Sequence, residues 1–189
     1  MEFIQIFNLT LPVQQPAVVI ALFGAWLYTR CKYGKSFAEQ ISSVSFLFVM
    51  VWKFSIVLLQ LPIVIKAPLS LLYFNGGLYG FWLGLASALF YAYVKKMPTF
   101  NTAEAWAFVV AIYPFALSIL SNTFTIWHVV QFTGSLLFFI FAKEGLEKAL
   151  ILLLFWQLLF LSGDGRLFSV ESLVYISVTV YFIFWRKKT

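Results

Sequence analysis

Seven times along this chain of 189 residues an apolar run recurs with the length of a bilayer-crossing helix or close to it. The runs are Val13–Tyr28, Ile41–Gln60, Leu71–Val94, Ala103–Leu120, Trp127–Ala142, Leu146–Leu161 and Val170–Trp185, each between 16 and 24 residues. A hydrocarbon core about 30 Å thick takes roughly 20 helical residues. Only helices and closed barrels satisfy every backbone polar group there. The runs are continuous, without the two-residue alternation of a barrel strand, which favours helices. With 62% hydrophobic and 11% charged residues and a mean hydropathy of +0.93, a water-soluble domain is excluded. The expectation is an all-α integral membrane protein of about seven transmembrane helices, forming a single domain over residues 1–189. The fifth and sixth runs are short for the task, and their boundaries are the least defined.

The net charge of +6 is not spread as a nucleic-acid surface would be. Arg30, Lys32 and Lys35 follow the first run, Lys95 and Lys96 the third, Lys143 and Lys148 the fifth, and Arg186, Lys187 and Lys188 the seventh. Ten of the thirteen basic residues therefore fall in alternate loops or at the C-terminus; Lys66 and Arg166 fall in the other set, and Lys53 lies inside a run. Basic loops stay cytoplasmic. This places the N-terminus outside and the C-terminus inside, with no nucleic-acid partner. The opening "MEFIQIFNLTLPVQQP" has Glu2 and no basic stretch ahead of its apolar residues, so it does not read as a cleaved signal peptide.

One cysteine, Cys31, leaves no internal disulfide. Flanked by Arg30 and Lys32, it reads first as an ordinary interfacial residue and second as a palmitoylation site. With one histidine and one cysteine, neither a metal site nor a cofactor is expected.

A charge at the bilayer centre costs roughly 2.5–3.5 kcal/mol, so it usually has a partner or a task. Lys53, a dozen residues into the second run, is the clearest case. Gln60, Asn75, His128, Gln131 and Gln157 are the other polar groups at depth; amides there commonly join helices, which is the plain reading of Gln60 and Gln157. In "YFNGGLYGFWLG", Gly76, Gly80 and Gly84 recur every four residues. That spacing puts three bare positions on one helix face, which a close-packing groove explains. Asn75 and the doubled Gly77 are left over, where free amides near a helix start suit an anionic headgroup.

The order of these features resembles the prolipoprotein diacylglyceryl transferases of bacteria. Their third-helix motif S-F-H-G-G-L-x-G is matched by Tyr73-Phe74-Asn75-Gly76-Gly77-Leu78-Tyr79-Gly80. "LYTRCKYGKSFAEQ" is similar to the family's first basic loop, and Lys53 falls near an arginine of its second helix. "KKMPTFNTAEAWAFVVAIYP" and "HVVQFTGSLLFFI" are similar to later segments, the latter matching at His128, Gln131 and Phe138. "GRLFSVESLVYISVTVYFIFWRKK" resembles the family's closing segment and basic tail. The resemblance implies a seven-helix protein of the bacterial cytoplasmic membrane. It also implies phosphatidylglycerol as lipid partner, a lipoprotein precursor as acceptor, and transfer of a diacylglyceryl group to a lipobox cysteine thiol. The implied catalytic residues are His128 and Lys53, and the implied substrate-binding residues Asn75, Gly76, Gly77 and Gln131.

Three positions depart from the family pattern. Its histidine beside the glycines is Asn75, and two arginines tied to lipid binding fall near Ser121 and Gln157. An amide is no base near neutral pH, and neither Ser nor Gln replaces a guanidinium fork on phosphate. Beside a divergent transferase stand two other readings: a non-catalytic lipid-binding or accessory subunit of the same fold, whose partner protein the sequence does not name, and a small transporter component.

Overall fold

In the computed structural model, which describes residues 3–6, 9–59, 61, 65, 76–141 and 145–186, each apolar run contains a helix. These are α1 (Gln14–Tyr33), α2 (Lys35–Leu59), α3 (Gly77–Val94), α4 (Thr99–Leu120), α5 (Ile126–Phe141), α6 (Leu146–Gly163) and α7 (Val170–Arg186). Four of them, α2, α3, α4 and α6, are long and apolar enough to cross a membrane, while α5 and α7 are apolar but shorter. The sixth run, short in sequence, gains its length by continuing to Gly163. α1 is not among the four: Gln14 and Gln15 take up its start, and Arg30 and Lys32 its last turn. Ahead of α1, and not anticipated from the sequence, β1 (Phe3–Ile6) and β2 (Leu9–Pro12) pair as a two-stranded sheet.

The helix ends follow from local chemistry. Gly34 at φ +84° breaks the chain between α1 and α2, in a region that L side chains avoid. Helices α3, α4 and α6 end alike, with a residue at positive φ at Lys96, Asn122 and Gly165. The next amide reaches back to the carbonyl of the last turn: Met97 to Ala92, Thr123 to Ser118 and Arg166 to Leu161, at 3.2, 3.0 and 2.7 Å. This is the Schellman closure, which satisfies carbonyls the helix leaves without partners. Pro98 precedes α4, and Thr102 Oγ1 bonds back to its carbonyl at 2.8 Å. Pro114, inside α4, removes one donor from the helix interior.

The chain divides into two compact units by its internal contacts. The first holds Pro12–Tyr28 and Pro98–Thr189, that is α1 as far as Tyr28 with α4 to α7; the second holds Phe3–Leu11 and Thr29–Met97, with α2 and α3. In the first unit Ala107, Val110, Leu153, Leu161 and Tyr175 form a core, with Trp106, Phe138, Leu154 and Leu158 against it. α1 presents Ala17, Ala21 and Ala25, all buried and four apart. Side chains that small let helices approach. At the near end of this stripe Tyr28 stacks on Phe108 of α4, ring centroids 3.7 Å apart.

The outside of the helices is apolar as well. Phe23, Phe46, Phe54, Leu58, Phe90, Phe155, Leu159 and Phe184 are all exposed. Large apolar side chains thus lie both inside and outside, while many alanines and several polar groups are inside. That distribution suits a lipid solvent, which has no reason to drive Leu or Phe inward.

Candidate functional site

In the second unit, α2 and α3 meet along the glycine face. A methyl group built on Gly76 or Gly80 would overlap Ser55 Oγ, and one on Gly80 would also lie 3.1 Å from the Trp52 carbonyl. At Gly84 the obstacle is the Phe48 carbonyl, at 2.9 Å. Three bare positions therefore face Ser55, Trp52 and Phe48, one turn of α2 after another. Ser55 Oγ, 2% exposed as a residue, donates to the Trp52 carbonyl at 2.7 Å and so hides its polarity within its own helix. The Gly76 amide, placed by the sequence reading among headgroup donors, donates to the same Trp52 carbonyl at 3.3 Å. Gly77 differs from its neighbours: its φ is +59°, a Cβ there would meet nothing within 4 Å, and it is exposed. Backbone conformation, not crowding, accounts for that glycine. Asn75 lies outside the described residues, as does Gln60. Lys53 lies in the last third of α2, half-buried, between Trp52 and exposed Phe54. Among the described residues one buried polar side-chain atom has no hydrogen-bond partner, the indole Nε1 of Trp52.

The first unit holds the other two predicted residues. His128 sits in the first turn of α5, and its Nδ1 accepts from the Thr125 amide at 3.2 Å, with Thr125 Oγ1 at 2.9 Å. This is one half of a capping box, the side chain of the third helical residue reaching back to the N-cap amide, with imidazole in the place usually taken by Glu or Gln. The face of the ring lies along Phe124, centroids 6.3 Å apart.

One turn further, Gln131 is 7% exposed, and its Nε2 donates to Gln157 Oε1 of α6 at 2.7 Å. Gln157 Nε2 donates to Ser135 Oγ at 2.8 Å, and Ser135 Oγ donates back to the Gln131 carbonyl at 2.7 Å. Trp156 Nε1 reaches that same carbonyl at 3.0 Å, its ring lying where a Cβ on Gly134 would have to be. The result is a closed ring of hydrogen bonds between α5 and α6, buried on all sides. Gln157 thus joins helices, as its plain reading held. Gln131, singled out for substrate, belongs to the same ring.

Two arrangements in this unit had no advance signal beyond their residue types. Glu104 of α4 is 3% exposed and accepts from the Tyr28 hydroxyl at 3.0 Å, which ties α1 to α4. It borders a cavity of about 20 Å³, room for one water by size, whose walls are mostly Ala103, Ala107, Phe138, Leu146 and Leu153. At the opposite end of α4, Glu171 of α7 takes a 2.7 Å ion pair from Arg166 and a 3.3 Å hydrogen bond from Tyr113. A carboxylate in an apolar run is the sequence signal for such a site, but only contact identifies the hydroxyl that meets it.

Chemically, then, each unit holds part of the predicted set: Lys53, Gly76 and Gly77 in one, His128 and Gln131 in the other. The imidazole and the Gln131 amide are both occupied by hydrogen bonds that hold helices. In comparisons with known proteins no family model matches this chain, and no curated protein or solved structure does.

Proposed function

We propose that the protein is a polytopic protein of a bacterial cytoplasmic membrane. On this reading it has seven spans, the N-terminus outside and the C-terminus inside, and is built like the diacylglyceryl transferases. It binds a phosphatidylglycerol-type lipid without transferring its diacylglyceryl group. The alternation of basic loops supports the orientation, and the order of motifs along the chain supports the family. Lys53 is the cation assigned to the lipid phosphate, since it is the charge set deepest in an apolar run.

The observation that carries the non-catalytic part is the state of His128. Thiol attack on a phospholipid needs a base to take the thiol proton. The chain has one histidine, and its Nδ1 is engaged by the amide and hydroxyl of Thr125 at the start of α5. To accept a proton at Nδ1 the ring would surrender the cap that starts α5.

The test has two arms. Expression in cells depleted of their own diacylglyceryl transferase is expected not to restore lipoprotein lipidation; restoration at normal expression would make the protein an active transferase. In the second arm, phosphatidylglycerol binding by purified protein is measured by native mass spectrometry. Lys53→Met is expected to weaken it about tenfold, the worth of one charge-assisted hydrogen bond. Unchanged affinity would remove Lys53 from the lipid site.

A further inference from the structure

The turn between α6 and α7 displays an aromatic side chain to its surroundings in a way a water-facing turn does not. Phe168 is 97% exposed and Leu167 38% exposed, in a segment of six residues that begins where α6 ends. The turn is pinned at every step. Gly165, at φ +69°, closes the Schellman motif through its own amide to Ser162 and the Arg166 amide to Leu161. The Ser169 amide returns to the Arg166 carbonyl at 2.9 Å, and Ser169 Oγ accepts from the Ser172 amide at the start of α7. Arg166 is fixed from its far end by Glu171, itself bonded to Tyr113 of α4. Phe168 is thus held outward by a turn that has little freedom to fold it back.

The same end of the unit carries a second apolar projection. α4 ends at Leu120 and α5 starts at Ile126, and around that connection Phe124, Ile126 and Trp127 are exposed. The Tyr113–Glu171 bond shows that this half of α4 and the start of α7 lie together. Charge at the α6–α7 turn is mixed: Asp164 and Glu171 against Arg166, with the last two paired. With two carboxylates against one guanidinium, nothing there recruits an anionic partner.

We infer that the α6–α7 turn lies in the interfacial layer of the bilayer, with Phe168 and Leu167 inserted toward the acyl chains and Asp164 on the water side. The occupant of this surface is phospholipid, of whatever headgroup. The argument is continuity and fit. α6 is long and apolar enough to cross a membrane, its exposed Phe155 and Leu159 face outward, and Phe168 follows five residues beyond its end. Phe and Leu presented at a membrane surface bury their apolar area at the headgroup–acyl boundary, and a ring placed in water by a rigid turn would gain nothing. The turn would then fix the depth of the α4–α7 group in the membrane. The inference rests on the membrane reading above, and its test separates the two.

Cys31, an exposed free thiol, is first replaced by serine to give a background for single labels. Nitroxides are then placed by Phe168→Cys, Asp164→Cys and Phe155→Cys in the full chain, in phosphatidylcholine nanodiscs. Collision with oxygen, which prefers lipid, is compared with collision with a water-soluble nickel chelate. The expected result is an oxygen-to-nickel ratio at 155 and at 168 several-fold above that at 164. A ratio at 168 as low as at 164, with 155 still in lipid, overturns the interfacial turn and leaves the span intact. A low ratio at 155 overturns the span and the turn together. A label at 168 shielded from both reagents overturns the lipid as occupant in favour of a protein.

Discussion

The α2–α3 seam and the α5–α6 seam each bring two apolar helices together, one by omitting side chains and the other by hydrogen-bonding those it has. At α2–α3 the backbone of α3 lies against Ser55, Trp52 and Phe48 because Gly76, Gly80 and Gly84 put nothing between. At α5–α6, Gln131, Gln157 and Ser135 exchange three hydrogen bonds, with Trp156 supplying a fourth. In lipid neither seam gains much from burying hydrocarbon, since the tails are as apolar as leucine. What remains is contact density on one side and polar satisfaction on the other. The two should fail differently: a glycine seam by excess volume, an amide seam by loss of a partner.

The largest effect is expected at the glycine seam. Gly80→Val places branched carbons against Ser55 and the Trp52 carbonyl and should cost about 3 kcal/mol, the upper range for overpacking. Thermal or denaturant unfolding in detergent reads it. Gly80→Ala is more revealing, because a helical alanine gains about 1 kcal/mol over glycine. If crowding dominates, Gly80→Ala still destabilises, and adding Ser55→Ala relieves part of the loss. A stabilised Gly80→Ala would mean the seam is looser than the geometry requires.

Next is the amide ring. Gln157→Ala removes the acceptor of the Gln131 amide and the donor to Ser135 Oγ in a buried place, at about 1.5 kcal/mol. Gln157→Leu removes the same partners but fills the volume, so it should cost less than the alanine. Equal losses would show that hydrogen bonding, not filling, sets the cost. A double-mutant cycle between Gln131 and Gln157 should return a coupling of roughly 0.6 kcal/mol, the average for such bonds between membrane helices.

The smallest effect belongs to the cap of α5. His128→Ala should cost about 0.5–1 kcal/mol, as loss of one capping bond does. His128→Glu supplies the ordinary partner of a Thr cap and should restore it. If His128→Ala destabilises and His128→Glu does not, the imidazole acts as a cap.

How far the residues spoke for themselves can be followed along the chain. The seven apolar runs became seven helices because length and hydropathy are local properties. The glycine face was legible for a similar reason: a four-residue repeat names its own face. The partner of that face was not. Nothing in Phe48, Trp52 and Ser55 marks them as the surface that three glycines will meet. The two N-terminal strands gave no signal because four residues each are too few to show the alternation that marks a strand.

The candidate site was legible as a list of polar residues at depth, and no further. Gln131 and His128 stand three residues apart and share a pattern, yet one closes a ring with α6 while the other caps its own helix. Sequence gave no measure of whether a donor or lone pair was already occupied. Glu104 and Tyr28, 76 residues apart, entered no prediction as a pair.

By itself the sequence determined the apolar character of the chain, the helical type of its seven long runs, and the face of α3 with no side chains. Those follow from composition and periodicity, which act over a few turns of one chain segment. The tertiary structure alone decided which polar groups are consumed by helix contacts, because a hydrogen bond depends on a distance between segments that no local pattern encodes.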